Sequence, residues 1–235
     1  MSMEVGSMKK LTQKEAFEKG AQYQIDTEPV SLGPLTSFSL LEDPKHMCFV
    51  LSRYKFCSKI LEGKENILEI GCGDGFGIPI IAQNAKYVLA IDSCDRLIVG
   101  NSQRLKKIKK VQFKNLDICK AVPDKTFDGV FSIDVIEHLD PHLETPFMVN
   151  SCKCLKEDGI CIVGTPNITA SKYATPRSRV QHINLKGHKT LRDLMSKYFE
   201  NVLMFSMNDE VIHTGYDPMA HYLFGIGVGK KRGSV

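Results

Sequence analysis

Short apolar runs alternate along most of the chain with segments whose apolar residues recur at helical spacing. Residues 66–70 (NILEI) form a run that stops at glycine and predict a strand. The pattern then predicts a helix over 77–84, a strand over 87–91 ending in Asp92, a helix over 96–108 and a strand over 111–113. It continues with a strand over 127–133 ending in Asp134, a helix over 146–155, a strand over 160–164, a helix over 191–198 and strands over 202–207 and 222–228. This order predicts an α/β fold with a seven-stranded, mostly parallel sheet and helices on both faces. No helical pattern separates the last two strands, so the last one is expected to run antiparallel. Upstream, residues 9–28 read as a polar helix and turn, 29–44 with their three Pro as an irregular crossing, and 46–61 as a well-buried helix. Residues 1–64 are therefore expected to be an N-terminal helical extension or lid, and 65–235 one compact unit. The opening MSMEVGSM (1–8) reads as a cloning remnant and is set aside.

Composition narrows the class. The 235 residues are 43% hydrophobic and 25% charged, which excludes disordered, collagenous and rod-like chains. No run approaches the ~20 apolar residues of a membrane span. No basic-then-apolar leader opens the chain, so the expected location is the cytoplasm. Eight cysteines occur without a C-x-x-C pair, which argues for reduced thiols rather than a zinc site or disulfides. The net charge of +4 is too small to argue for nucleic acid. The basic run at 104–110 (RLKKIKK) carries apolar residues at helical spacing and reads as a solvated helix face. The expected partner is a small-molecule acceptor, in a monomer or a homodimer.

The segment 67–77, ILEIGCGDGFG, carries the clearest chemistry. A strand ends, and glycines open a helix where backbone can approach a ligand closely. The spacing fails the dinucleotide fingerprint G-x-G-x-x-G, and no phosphate-binding G-x-x-x-x-G-K-[ST] is present. Glu69 lies two residues before the first glycine, where a carboxylate can hold an ammonium group. Asp92 ends the next strand, where a carboxylate accepts two ribose hydroxyls. Asp117 follows the third strand, within reach of an exocyclic amine. An amino acid, a ribose and an adenine without pyrophosphate make S-adenosylmethionine.

In LEIGCGDG, Asp92, Asp117, FDGVFSIDVIEHL and LKEDGICIVGTPN, the chain resembles the class I S-adenosylmethionine-dependent methyltransferases over about residues 65–230. The resemblance implies a Rossmann-like sheet of seven strands with the last antiparallel. It implies that Glu69 faces the methionyl amine and that Gly71, Cys72, Gly73 and Gly75 form the loop under methionine and ribose. Asp92 with Ser93 would bind the ribose, Asp117 with Ile118 would border adenine, and Asp134 would adjoin the cofactor. The product would be S-adenosylhomocysteine. The plain alternative is that these glycines only make turns.

A hydroxyl acceptor needs a base or a metal to take its proton. In DVIEH, positions 134, 137 and 138 would share one face of a helical turn, and two carboxylates with an imidazole suit a divalent metal. The wording resembles the E-x-x-E-H of small-RNA 3′-end and ubiquinone-pathway O-methyltransferases, which a downstream His completes. The resemblance makes Asp134, Glu137, His138 and His182 the candidate catalytic and metal-binding set, with Asp134 departing from the family's first Glu. The metal-free alternative has His138 ordering the loop and His213 as general base. The loop 206–215 (SMNDEVIHTG) is dense in polar groups, so Asn208, Asp209, Glu210 and His213 are expected to touch the acceptor. A turn with a solvent-facing His is the plain alternative. Tyr23, Phe38, His46 and Tyr54 are candidates for an acceptor wall, with packing the plainer role for Tyr54. His142, His188 and His221 receive no role.

The expected function is methyl transfer to a hydroxyl of a small molecule, favouring a sugar or sugar-linked metabolite because the acceptor loop is polar and the chain lacks Trp. The alternatives are an RNA 3′-end enzyme, an N-methyltransferase, and a non-catalytic S-adenosylmethionine-binding protein.

Overall fold

The computed structural model describes residues 10–25, 27, 29–231 and 233. Residues 1–8, set aside above, lie outside the described residues. The chain divides into two units, Met1–Ser31 and Leu32–Val235. In the first, helix α1 (Gln13–Ile25) begins at a capping box. The Thr12 N–H donates to Glu15 Oε2 at 2.8 Å, and the Glu15 N–H donates back to Thr12 Oγ1 at 3.3 Å. Tyr23 lies in α1, and its side chain is outside those described.

The second unit opens with two helices, α2 (Pro34–Glu42) and α3 (Pro44–Ile60). The expected irregular crossing at 29–44 is thus corrected over most of its length. Pro34 and Pro44 stand at first helical positions, where their missing N–H costs nothing and their fixed φ favours the helix. The proline density punctuates two helices rather than breaking one.

The alternation follows as β1 (Asn66–Ile70), α4 (Ile78–Asn84), β2 (Tyr87–Asp92), α5 (Asp95–Arg104), β3 (Val111–Asn115), β4 (Phe127–Ile133), α6 (Glu144–Cys154) and β5 (Leu155–Pro166). Then come α7 (Pro176–Gln181), α8 (His188–Ser196), β6 (Phe199–Asn208), β7 (Val211–His213) and β8 (Tyr222–Lys230). The sheet order is β3-β2-β1-β4-β5-β8-β6-β7. β1 to β5 pair in parallel, and β8 lies antiparallel between β5 and β6. β6 is therefore parallel to β5, and its C-terminal end joins the others at one edge. Among the described residues the sheet has eight strands rather than seven, because β7 folds back on β6 through a two-residue turn at Asp209–Glu210, with Asp209 at φ 48°. A three-residue strand is too short for alternation to reveal. α5 stops at Arg104, short of the expected Ile108.

Alternate residues of each strand feed opposite cores, as the period of two requires. Ile67, Val88 and Ala90 pack with Tyr54 and Cys57 of α3, Ile78 of α4 and Ile98 of α5. Leu68, Leu89 and Ile91 pack with Phe147 and Met148 of α6 and Leu191 of α8. α3 is thus part of the core, and residues 32–64 are continuous with the sheet rather than a separate lid. All eight cysteines are free. Among the described residues, no helix is long and apolar enough to cross a membrane.

Candidate active site

At the end of β1 the chain turns through Gly71, Gly73 and Gly75 at φ 77°, 53° and 72°, a region that L side chains enter only with strain. The N–H groups of Gly71 and Cys72 donate to the Ile91 carbonyl at 2.8 and 3.0 Å. Asp92 clasps the same loop, its Oδ2 accepting from the Gly73 N–H at 2.9 Å and its Oδ1 from the Cys94 N–H at 2.8 Å. Asn101 Nδ2 donates to the Gly73 carbonyl at 2.8 Å, and Arg104 Nη2 to the Asp74 carbonyl at 2.6 Å. Asp74 in turn accepts from the N–H and the hydroxyl of Thr36 at 2.7 and 2.9 Å, tying the loop to the start of α2. Ser93 is exposed beside Asp92. Asp117 follows β3, takes the Cys119 N–H at 3.0 Å and pairs with Lys120, while Ile118 is buried.

Glu69 is enclosed below this loop. Tyr54 of α3 donates its hydroxyl to Glu69 Oε1 at 2.5 Å, and among the described residues Oε2 has no hydrogen-bond partner. Burial raises the Glu69 pKa to about 8. Tyr54 is therefore not an acceptor wall: it is a buried prop for the motif carboxyl. The Cys72 thiol, also buried, is held in its neutral form.

At the end of β4, Asp134 takes φ 57° and leaves the helical turn expected for DVIEH. A 3₁₀ turn, Ile136–His138, follows. The Asp134 carboxylate receives Arg53 Nη1 on both oxygens at 2.8 and 3.0 Å. The Arg53 guanidinium lies 3.9 Å over the Tyr222 ring, and the Tyr222 hydroxyl accepts from the Asp134 N–H at 3.2 Å.

Glu137, His138 and His182 converge, each offering a ligand atom, with all three atoms within 4.8 Å of one another. Glu137 is fully buried. Its Oε2 accepts from the Thr165 hydroxyl at 3.0 Å, and its Oε1 is unpartnered. His138 Nδ1 faces the Gln181 carbonyl at 3.1 Å, so this nitrogen carries the proton and Nε2 is the ring's free donor atom. Burial, then His138, lowers the His182 pKa and keeps that ring neutral. Burial, then Asp134, raises the Glu137 pKa. The loop carrying His182 is anchored from below. The Asn184 N–H donates to the Glu137 carbonyl at 3.0 Å, and buried Lys186 bonds Glu144 Oε1 at 2.5 Å. The fourth expected ligand, Asp134, is a correction: its carboxylate belongs to Arg53.

Residues 44–202 match the family model described as a methyltransferase domain. The chain belongs to this methyltransferase family. Its place in the class I superfamily makes S-adenosylmethionine the cofactor, and the glycine loop, the acids at the strand ends and the unpartnered Glu69 Oε2 fit that ligand. A "Probable S-adenosylmethionine-dependent methyltransferase" of Mycobacterium tuberculosis is 30% identical over 102 residues, 43% of this chain and 36% of that protein. A ubiquinone biosynthesis O-methyltransferase of Rickettsia akari is 34% identical over 113 residues, 47% of this chain and 44% of that protein. The matches thus span less than half of these relatives. Among solved structures, the N-methyltransferase NodS from Bradyrhizobium japonicum WM9, in complex with S-adenosylhomocysteine, superposes with TM-score 0.62 at 19% identity, over 90% of this chain and 97% of that one. The methyltransferase domain of bacterial CtHen1-C superposes with TM-score 0.65 at 16% identity, over 77% of this chain and 99% of that one. Both show the shared fold.

In this methyltransferase a cleft of about 660 Å³ lies beside His182, lined among others by His46, Arg53, Lys172, Asn208 and His221. His46 and His221 both line this cleft, His221 without any signal in the sequence. Phe38 stands outside that lining and stacks under Arg177 at 4.8 Å. The polar loop is mostly a brace. His213 Nδ1 accepts from the Gly215 N–H at 2.9 Å and its Nε2 donates to Asn208 Oδ1 at 2.8 Å, so no free lone pair remains for base catalysis. Asn208 Nδ2 donates to the Met219 carbonyl at 2.8 Å. Asp209 and Glu210 form the exposed hairpin turn. Of the four expected acceptor residues, only Asn208 lines the cleft.

Proposed function

We propose that this methyltransferase transfers a methyl group from S-adenosylmethionine to a hydroxyl of a small, hydroxyl-rich acceptor, a sugar or sugar-linked metabolite, with a divalent cation assisting. The convergence of Glu137, His138 and His182 beside the cleft carries this reading. A buried carboxylate oxygen without a partner and two imidazoles make a nitrogen–oxygen donor set suited to a divalent ion.

When bound, the cofactor supplies a methyl group already activated on sulfonium. Gly71, Cys72, Gly73 and Gly75 would bed the ligand, Asp92 with Ser93 would hold its ribose, and Asp117 with Ile118 would border its adenine. Glu69 offers its remaining oxygen to a ligand donor. Asp134, fixed by Arg53, holds the end of β4 between the cofactor loop and the cleft. Orientation of this kind supplies on the order of 7–11 kcal/mol where reactants are well aligned. Glu137, His138 and His182 would hold the cation, whose charge lowers the pKa of a coordinated hydroxyl. Thr169 and Ser171 give the cleft polar walls for sugar hydroxyls.

The test is methyl transfer from labelled S-adenosylmethionine to sugars and vicinal diols, with and without EDTA. Transfer abolished by EDTA and restored by Mg²⁺ or Mn²⁺ is expected. Undiminished transfer in EDTA would remove the cation, and transfer confined to amines would remove the hydroxyl acceptor.

A further inference from the structure

The acceptor cleft has an unbalanced charge inventory. Its lining includes Arg53, Lys172, His46, His182 and His221, and no carboxylate. The Arg53 charge is matched by Asp134. Burial, then Arg53, lowers the His46 pKa, and His182 is a candidate cation ligand. Lys172 is the unmatched cation of the lining. Its Nζ stands 4.8 Å over the Tyr173 ring, and among the described residues no carboxylate pairs with it.

The segment around Lys172 adds to this charge. Arg177 stacks on Phe38 of α2, outside the cleft lining, and is felt electrostatically by His46. Arg179 is spent on structure, donating to the carbonyls of Ala174 and Lys172 at 3.1 and 3.2 Å, and so fixes the turn that carries the lysine. Neither arginine pairs with a carboxylate among the described residues. The 3₁₀ turn thus brings Lys172, Ser171 and Thr169 into the lining of one polar cleft, while Arg177 stands outside that lining and adds its charge nearby. Cations and hydroxyl donors in one place suit a dianion with three acceptor oxygens.

We propose that the acceptor is a phosphate monoester of a small polyhydroxy compound, with Lys172 and Arg177 receiving its phosphate. The proposal rests on the acceptor cleft of the function proposed above.

Binding is measured without turnover. Glucose 6-phosphate, glucose and gluconate are titrated by calorimetry into protein saturated with S-adenosylhomocysteine. Glucose 6-phosphate is expected to bind about tenfold or more tighter than the other two, with affinity falling as ionic strength rises. Lys172→Ala is expected to erase most of that preference and Arg177→Ala part of it, with S-adenosylhomocysteine affinity unchanged in both. Equal binding of all three sugars, or a preference that survives Lys172→Ala, overturns the proposal. A short single-stranded RNA that binds more tightly than glucose 6-phosphate, and loses that affinity in Lys172→Ala, also overturns it, in favour of a polynucleotide. Failure of every hydroxyl to be methylated while the phosphate preference holds would sink the O-methylation reading and leave the anion site standing.

Discussion

Arg53 of α3 grips both carboxylate oxygens of Asp134, 81 residues away at the end of β4, at 2.8 and 3.0 Å. The arginine is buried, and its partner sits at φ 57°. One ion pair therefore holds a left-handed backbone turn in place and joins α3 to the strand end that leads into Glu137 and His138. Removing one member of a buried pair strands the other's charge. Because Asp134 retains some solvent access, Arg53→Met is expected to cost about 2–3 kcal/mol, below the fully buried range. Urea denaturation reads this directly, and Arg53→Met with Asp134→Asn should recover part of it. A single-variant loss under about 0.5 kcal/mol would show the pair to be incidental.

Among the described residues, Tyr54 gives Glu69 its one side-chain hydrogen bond. Tyr54→Phe leaves a buried carboxyl with neither oxygen partnered, which costs about 1–3 kcal/mol. The loss should appear in the melting temperature and in weaker S-adenosylmethionine binding. Unchanged affinity would separate Glu69 from the cofactor loop's function.

The start of α2 is latched to the cofactor loop by Thr36 on Asp74. A Cβ on Gly33 would fall 2.3 Å from Asp74 Oδ2, so Gly33→Ala must displace the latch. Faster proteolysis near α2 and reduced cofactor affinity are expected, with Asp74→Asn milder because it keeps one acceptor. Normal affinity in Gly33→Ala would show that α2 does not support the loop.

Two buried carboxyls make a pH signature. The Glu69 pKa is raised from 4.5 to about 8, and that of Glu137 is raised as well, in both cases chiefly by burial. The folded protein keeps protons that the unfolded chain releases above about 4.5, so this contribution is full below that pH and is lost as pH rises toward 8. His46 and His182, lowered from 6.5, act oppositely, but only up to about pH 6.5. Between pH 6.5 and 8 the carboxyls therefore decide, and the melting temperature of the ligand-free protein should fall. Glu69→Gln should flatten the slope. A melting temperature that rises across this window would contradict the assigned burial.

The cofactor loop was legible because its backbone needs glycine: Gly71, Gly73 and Gly75 all have positive φ, and no other residue marks such a loop so clearly. The acids were legible because each ends or follows a strand. α2 was not, since prolines at first helical positions look like breakers when the helices are short. The partners Arg53, Tyr54 and Thr36 act on residues 81, 15 and 38 positions away, and no local spacing announces such pairs. At His213, polarity in the sequence does not distinguish a ligand-facing ring from one bonded within its own turn, where the structure places it. His182 could be placed only by resemblance, because it stands 44 positions after His138, with α6, β5 and α7 between them.

Glu137, His138 and His182 are proposed above to hold a divalent cation. Mn²⁺ titrated by calorimetry into protein saturated with S-adenosylhomocysteine tests this most directly, with His182→Ala and Glu137→Gln alongside. One-site binding in the unaltered protein, lost in both variants while S-adenosylhomocysteine affinity persists, is the predicted result. No binding in the unaltered protein, or binding that survives both substitutions, would contradict it.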